Sequence, residues 1–160
     1  MAQTDDWTKG DAGGPPPATA ARSIFAVARV VDVEDVIAAG GLADSAKITA
    51  AENISVFQVK AGLWVLDVIC EIITPCTDDT ATIDIGDDTD VEGWDAAVDI
   101  TAAAATRTRS DNAADAYNLQ LAGGKLYTEN DTIDVLFNND TTDGRFKLTM
   151  LCIDTNTAEV

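Results

Sequence analysis

Apolar and polar residues alternate along several short segments of the chain. A period of two residues is typical of β-strands, because successive side chains of a strand point to opposite faces of the sheet. A β-branched run that begins near Ile24 predicts the first strand. The alternating segments that follow it read ENISVFQV, LWVLDVICEIIT, TATIDIG, TIDVLFN and RFKLTMLCID.

Turn-forming residues separate these segments. Glycine, asparagine and aspartate tolerate the backbone angles of tight turns, so their clusters mark strand ends. Short strands joined by frequent turns indicate an all-β sandwich or barrel, and we predict one such domain over residues 23–160. The turn signals are Ala61-Gly62, Thr77-Asp78-Asp79, Gly123-Gly124, Glu129-Asn130-Asp131 and Asn138-Asn139-Asp140.

The longest alternating segment, residues 63–74, predicts a strand that is partly covered on both sides. One predicted face is apolar throughout, whereas the other mixes apolar and acidic side chains. The first face comprises Trp64, Leu66, Val68, Cys70 and Ile72, and the second comprises Leu63, Val65, Asp67, Ile69, Glu71 and Ile73.

Two segments depart from the alternation. Residues 33–52 predict a helical turn followed by another strand. Residues 95–120 contain enough alanine for a short helix. We interpret this second segment mainly as a strand, a long loop and a strand.

Residues 1–22 differ in composition from the rest of the chain. Pro15, Pro16 and Pro17 are consecutive, and proline fixes φ and removes a hydrogen-bond donor. These residues therefore predict an extended arm rather than a helix or an inner strand. Trp7 is its one large apolar anchor. The arm either lies along a neighbouring subunit or is a tail without a partner.

The charge of the chain argues against two kinds of partner. The sequence has 28 acidic and 10 basic residues, which give a net charge of −18. This charge repels the phosphates of nucleic acids and the surface of anionic membranes, so we predict neither partner. It favours solubility and binding to cations or basic surfaces, although a solvated acidic exterior accounts for most of it.

The three cysteines, Cys70, Cys76 and Cys152, lack the spacing of a zinc site or a disulfide framework. Buried free thiols are the main interpretation, and they fit assembly in a reducing compartment. A bridge between Cys70 and Cys76 across a turn is the alternative.

The absence of histidine narrows the possible chemistry. It removes the Ser-His-Asp and Cys-His mechanisms together with histidine metal sites. Catalysis would need paired carboxylates, one of them with a raised pKa. Asp67 and Glu71 share a predicted strand face, but such residues are usually solvated. We therefore predict that the chain is not an enzyme.

The acidic stretch DIGDDTDVEGWD begins like a calcium loop. Asp88, Asp90 and Glu92 alternate before Gly93, and Asp99 falls at the twelfth position. Calcium prefers such oxygen ligands, but its usual last ligand is glutamate, and the flanking segments predict strands rather than helices. A solvated turn is the alternative interpretation. We predict no cofactor other than this candidate calcium ion.

Arg107 and Arg109 form the one local basic spot in the sequence, within a polar segment predicted to be a loop. They could donate salt bridges to a neighbouring subunit. The alternative is a solvated loop with no partner.

Four phrases of the sequence, read in order, resemble small acidic virion proteins of tailed bacteriophages. The resemblance covers about residues 53–154. The phrases are Ile-Asp-Ile-Gly-Asp at Ile83–Asp87, Gly93-Trp94, Gly-Gly-Lys-Leu-Tyr at Gly123–Tyr127 and Asp-Thr-Ile-Asp-Val at Asp131–Val135.

The resemblance implies an antiparallel, jelly-roll-like β-sandwich with an extended N-terminal arm. It implies a decoration protein on the capsid exterior, assembled in the host cytoplasm, that binds the major capsid protein and forms a homotrimer. The expected interaction residues of the arm are Trp7, Pro15, Pro16, Pro17 and Arg22. The alternative function is a virion-displayed module that binds glycans or a host surface, as in a head fibre. Trp94 beside Asp95 would be its best sugar-binding candidate.

Overall fold

The computed structural model describes residues 24–109, 115–119 and 122–155 of the chain. Strands make up most of the regular structure in these ranges, as the alternating sequence predicts. In chain order the elements are β1 (Ile24–Asp32), α1 (Val33–Ala39), β2 (Asn53–Val59), β3 (Leu63–Thr74), β4 (Thr82–Gly86), β5 (Asp95–Asp99), β6 (Arg107–Arg109), β7 (Lys125–Leu126), β8 (Asp131–Phe137) and β9 (Arg145–Asp154).

The strands form two antiparallel sheets that pack face to face. The first sheet has the order β1-β9-β3-β6, with the short β7 paired to β3, and the second has the order β2-β8-β4-β5. The pairing is nested along the chain: β1 pairs with β9, β2 with β8, β3 with β6, and β4 with β5. This is a jelly-roll sandwich, so the predicted all-β fold is confirmed.

The short helix α1 is the helical turn that residues 33–52 predict. The Asp32 side chain caps it, because its Oδ1 accepts the Asp35 N–H at 3.4 Å. The strand expected after it is reduced to an isolated bridge between Ile48 and Thr141. In the segment of residues 95–120, β5 is the strand predicted at its start, whereas β6 lies where the sequence predicts the loop.

The core lies between the two sheets. The Phe137 ring of β8 and the Phe146 ring of β9 meet across it with centroids 6.5 Å apart. The apolar faces predicted for β4, β8 and β9 are confirmed. The buried members of these faces are Ile83, Ile85, Ile133, Val135, Phe137, Phe146, Leu148, Met150 and Cys152.

The faces predicted for β3 are wrong, because the strand contains a β-bulge. Val65 pairs with Cys152 and Asp67 pairs with Leu151, so Leu66 is an extra residue. A bulge reverses the alternation beyond it. Trp64 therefore shares the outer face with Asp67. The inward, buried residues are Leu63 and Val65 before the bulge and Val68, Cys70 and Ile72 after it.

A glycine fits tightly against this bulge. Gly124 has φ +83°, and a Cβ there would lie 2.2 Å from the carbonyl oxygen of Val65. A side chain at this position would push the segment before β7 away from β3. The Gly123-Gly124 pair is thus needed for close approach as well as for a turn.

All three cysteines are free and buried, which confirms the main interpretation of the sequence. Burial raises the pKa of each thiol to about 12. The thiolate is the reactive form of cysteine, so these groups are chemically inert in the folded protein.

Membrane insertion through a helix finds no support in the ranges described. No helix there is both long and apolar enough to cross a bilayer.

We expect Ile133→Ala to lower the free energy of unfolding by about 2–5 kcal/mol, because Ile133 is fully buried between the sheets and the truncation leaves a cavity. The adjacent Thr132 of β8 is half-buried and serves as the control. Thr132→Ala should cost less than about 1 kcal/mol. Urea unfolding followed by tryptophan fluorescence measures both values, and equal losses would contradict the assigned inner face.

Candidate functional site

Three of the four sequence phrases meet at one end of the sandwich, around the carboxyl group of Asp87. Asp87 follows β4 and is 1% exposed. Trp94 lies just before β5, and Lys125 and Tyr127 come from the segment around β7. The fourth phrase forms β8, which pairs with β4 and so holds the strand that ends at Asp87.

The Asp87 carboxylate accepts five hydrogen bonds. Its Oδ2 accepts from Lys125 Nζ at 2.5 Å and from the Tyr127 hydroxyl at 2.8 Å. Its Oδ1 accepts from the Tyr117 hydroxyl at 3.1 Å and from the backbone N–H groups of Thr89 and Asp90 at 3.0 and 3.1 Å. A buried charge is stable only with such a set of partners.

The ionised form of Asp87 is favoured despite its burial. Burial opposes the charge, but the hydrogen bonds from Lys125 and Tyr127 outweigh it and lower the pKa of Asp87. Burial likewise opposes the charge of Lys125, yet Asp87 and Tyr117 raise the pKa of this lysine. The two residues therefore form an ion pair at neutral pH.

Aromatic rings enclose this ion pair. The Lys125 ammonium lies 4.4 Å from the Tyr117 ring centroid and 4.7 Å from that of Tyr127. Trp94 is fully buried and donates its Nε1–H to the Tyr127 hydroxyl at 3.3 Å. Its ring meets the edge of Tyr117 at 5.2 Å. These cation–π and edge contacts add to the electrostatic attraction.

A glycine permits this close packing. A Cβ on Gly93 would lie 2.2 Å from Cε2 of Tyr117, so a larger residue would displace the ring. The Gly93 carbonyl also accepts the Tyr117 N–H at 2.9 Å. The acidic loop, residues 87–93, is therefore fixed at its two ends by the contacts of Asp87 and Gly93. The hydrogen bonds from Thr89 and Asp90 to Asp87 also fix its turn.

The candidate calcium ligands lie on this acidic loop but are arranged as a turn. Asp88 and Glu92 are exposed, and Asp90 Oδ1 accepts the Glu92 N–H at 3.2 Å. Asp99 lies at the far end of β5, roughly 13 Å along the strand from Asp95. The calcium-like spacing thus runs from a loop into a strand.

The structure brings together a different group of ligand-type side chains. In the described ranges, the group whose ligand atoms all lie within 4.8 Å of one another is Cys76, Asp78 and Asp143. Both carboxylates already accept hydrogen bonds, Asp78 from Thr142 and Asp143 from Thr77. Calcium at Asp88, Asp90 and Glu92 stays a prediction.

The two arginines predicted to lie in a loop form the strand β6 instead. Arg107 Nε lies 3.0 Å from Glu71 Oε2, and Arg109 Nη2 lies 2.7 Å from Asp67 Oδ2. Lys147 adds a third ion pair, also to Glu71, at 2.9 Å. The basic spot therefore neutralises carboxylates of its own sheet.

These ion pairs argue against the candidate carboxylate pair for catalysis. Hydrogen bonds from Lys147 and Arg107 lower the pKa of Glu71. A general acid at neutral pH needs the opposite shift. The arrangement suits a structural role for Asp67 and Glu71.

The sugar-binding candidate also meets an obstacle. A tryptophan that stacks on a sugar must expose a face of its ring, and Trp94 is 0% exposed. Asp95 beside it is also buried. Trp94 instead packs the acidic loop against the sandwich, and it offers no exposed ring face to a sugar.

A cleft of about 290 Å³ lies beside the buried ion pair. It is lined by Asp88, Lys125, Glu129 and Asp131 among others, so carboxylates outnumber its single lysine. Lys125 is already committed to Asp87. The cleft can attract a cation or a basic side chain.

The arm residues Trp7, Pro15, Pro16, Pro17 and Arg22 lie outside the described residues. Their interaction role remains the expectation that the sequence raises.

We expect Asp87→Asn to lower the free energy of unfolding by about 2–5 kcal/mol, because it leaves the Lys125 charge enclosed without its partner. The neighbouring Asp88 is exposed, so Asp88→Asn should change stability by less than about 0.5 kcal/mol. Urea unfolding at pH 7 measures both.

The pH dependence of the same experiment gives an internal control. The folded pKa of Asp87 is lowered, so its stabilisation is complete above the unfolded value of about 3.9 and is lost as the pH falls through the folded pKa. The stability difference between the wild type and Asp87→Asn should therefore shrink in that acidic range. A difference that stays constant with pH would contradict an ionised Asp87.

Calcium is tested by thermal unfolding with millimolar calcium and with chelator. An ion that binds the folded state at Asp88, Asp90 and Glu92 must raise the unfolding midpoint, by several degrees at saturation. The triple Asn/Asn/Gln variant should abolish that rise. An equal midpoint in calcium and chelator would exclude a structural ion and leave the solvated turn.

Comparisons by sequence find no relatives: no protein-family model matches the chain, and no curated protein matches it. Comparison by structure does find similar chains. A chain of the cyanophage Pam1 capsid asymmetric unit aligns with a TM-score of 0.57 and 18% identity over 82% of this chain and 84% of that chain. A chain of the Ralstonia phage GP4 capsid aligns with a TM-score of 0.55 and 11% identity over the same shares. At these identities the likeness is one of fold, so this chain has a jelly-roll sandwich of a kind found in phage capsids.

Proposed function

We propose that this chain is a structural protein of a tailed-phage virion and that it decorates the outer surface of the head. The observation that carries the proposal is the shared jelly-roll fold, which aligns over 82% of this chain with a chain of a cyanophage capsid. The sequence phrases that resemble phage virion proteins point the same way, and three of them build one structural cluster around Asp87.

The distribution of exposed apolar groups favours decoration over construction of the shell itself. A shell subunit must bury surface on several sides, whereas a decorating subunit can attach through few contacts. Most of the large apolar side chains exposed in the described ranges lie on the first sheet. They are Ile24, Val30, Trp64, Ile73 and Leu126, and Val91 is the exception on the acidic loop.

The chemistry of the chain supports a binding role rather than catalysis. The sequence has no histidine, and the thiols are buried with a pKa of about 12. The best-organised polar cluster, around Asp87, holds the acidic loop in place. A rigid body with a solvated acidic exterior suits a protein displayed in many copies.

The proposal includes its partners and place. The chain binds the major capsid protein on the capsid exterior, forms a homotrimer, and is assembled in the host cytoplasm. Residues 1–22, with Trp7, Pro15–Pro17 and Arg22, reach the shell or a neighbouring subunit, because their composition cannot build a core of their own. An arm that becomes ordered on docking adds buried area at an entropic cost.

Co-sedimentation with phage heads that lack this protein tests the proposal. We expect the full chain to bind in a saturable manner and to raise the temperature at which heads come apart. A variant without residues 1–22 should bind at least about tenfold more weakly, because the buried area of the arm is lost.

The sandwich supplies the control for the deletion. Its first strand begins at Ile24, so the shortened chain should unfold at the same temperature as the full chain. Equal occupancy by both chains would remove the role of the arm. A full chain that never sediments with heads would overturn the decoration function.

A further inference from the structure

The outer face of the first sheet carries a continuous apolar row. Directly paired residues of an antiparallel sheet share a face, and the register aligns Ile24 with Ile153, Ile153 with Trp64, and Trp64 with Leu126. Ile24 is 62% exposed, Trp64 39% and Leu126 50%. Large apolar groups aligned across four strands in this way mark an interaction surface.

The edge strand β1 extends this surface. Its outward side begins with four exposed apolar residues, Ile24, Ala26, Ala28 and Val30, and ends with Asp32. Its nine residues pair with β9 without a bulge, and within the described ranges no strand pairs with its other edge. Edge strands are normally protected by charged side chains, proline or a bulge. β1 has no proline and no bulge, and its charged residues are Arg29 on the inward side and Asp32 at its end.

The same face is nearly neutral on a strongly acidic chain. Beyond the apolar row it carries four positive and three negative charges, or +1: Arg107, Arg109, Arg145 and Lys147 against Asp32, Asp67 and Glu71. The whole chain has a net charge of −18, so all other residues together carry −19. Two copies that met elsewhere would bring like charges together, whereas this face lets them approach with little repulsion.

The size of the face is sufficient for a specific contact. Four strands about 4.8 Å apart and about 3.3 Å per residue along β1 give a surface of roughly 20 by 30 Å. This area of about 600 Å² approaches the roughly 800 Å² that each partner buries in a standard interface.

We propose that the outer face of the first sheet, from β1 to β7, is the surface through which copies of this chain associate. The inference rests on the proposed function, because repeated copies on a capsid are what would cover the face. It assigns self-association to named residues: the apolar row and the outward side of β1 exclude water, and the ion pairs at Glu71 and Asp67 border them.

The test is the solution mass of the full chain in the absence of capsids, measured by sedimentation over a range of concentrations. We expect the wild type to associate. The double variant Ile24→Lys/Val30→Lys should raise the dissociation constant at least about tenfold, because two apolar contacts are replaced by charges that must be desolvated. Leu126→Lys, which changes β7 at the opposite end of the same apolar row, should also raise the dissociation constant.

The matched control is Val91→Lys, since Val91 is 44% exposed but lies on the acidic loop and not on a strand of the first sheet. It should leave the association unchanged. Added lysines reduce the net negative charge of each copy, so weaker association cannot come from greater long-range repulsion. The unfolding temperature of each variant should also be measured, and unchanged values would show that these exposed substitutions preserve the fold.

Three results would overturn the inference: a wild type that stays monomeric, association that survives both face variants, or a monomer that associates once residues 1–23 are removed. The last result would mean that the chain's own N-terminal residues cover the face. The outcome is separable from the proposed function. A protein that associates through this face but never binds heads would refute decoration alone. One that binds heads as a monomer would refute this inference and the proposed homotrimer but would leave decoration standing.

Discussion

The cost of burying one carboxylate organises the end of the sandwich that carries the acidic loop. Asp87 lies beneath an exposed acidic loop, where its charge would be unstable without partners. Lys125, two tyrosine hydroxyls and two backbone N–H groups supply them. Because these donors come from separate segments, neutralising one charge ties the turn after β4 to the segment around β7. The loop can therefore present its acidic residues with a fixed shape.

Charge is distributed unevenly over the molecule, so that one surface is nearly neutral and the rest is acidic. Most of the exterior is acidic, so contacts between copies through these parts of the surface are unfavourable. The first sheet differs, because its basic residues are matched to carboxylates on neighbouring strands. This face is nearly neutral and carries apolar residues, whereas the rest of the surface is acidic. Contact with another acidic molecule is therefore most favourable through this face. Such polarity suits a subunit of an ordered assembly.

Much of the fold could be predicted from the sequence, because period-two alternation directly reflects which side of a strand is buried. The inner faces of β4, β8 and β9 follow from it. The prediction failed on β3, since one extra residue at Leu66 reverses the alternation and nothing in the local sequence marks it. Residues Arg107–Arg109 were also missed as a strand, because a three-residue strand is too short to show a period.

The candidate site was less predictable, since it depends on contacts between distant segments. The spacing of Asp88, Asp90 and Glu92 predicts a site on the loop. The residue whose hydrogen bonds hold this loop is instead the preceding Asp87. In the sequence it is one aspartate among five in the stretch from Asp84 to Asp95. Only the fold shows that Lys125, 38 positions later, reaches its carboxylate. The resemblance to phage proteins did include both residues, which indicates that such phrases can mark a shared packing unit.

Because the thiols of Cys70, Cys76 and Cys152 are inert, the folded protein should tolerate a change from a reducing to an oxidising environment. None of them is exposed as a reactive thiolate, and the chain contains no imidazole whose charge changes near neutrality. Moving from a reducing, buffered interior to an oxidising environment of variable acidity would therefore neither cross-link the folded protein nor alter its surface charge by histidine titration. In the proposed place on a phage head, the protein would keep the same electrostatic character from assembly to release.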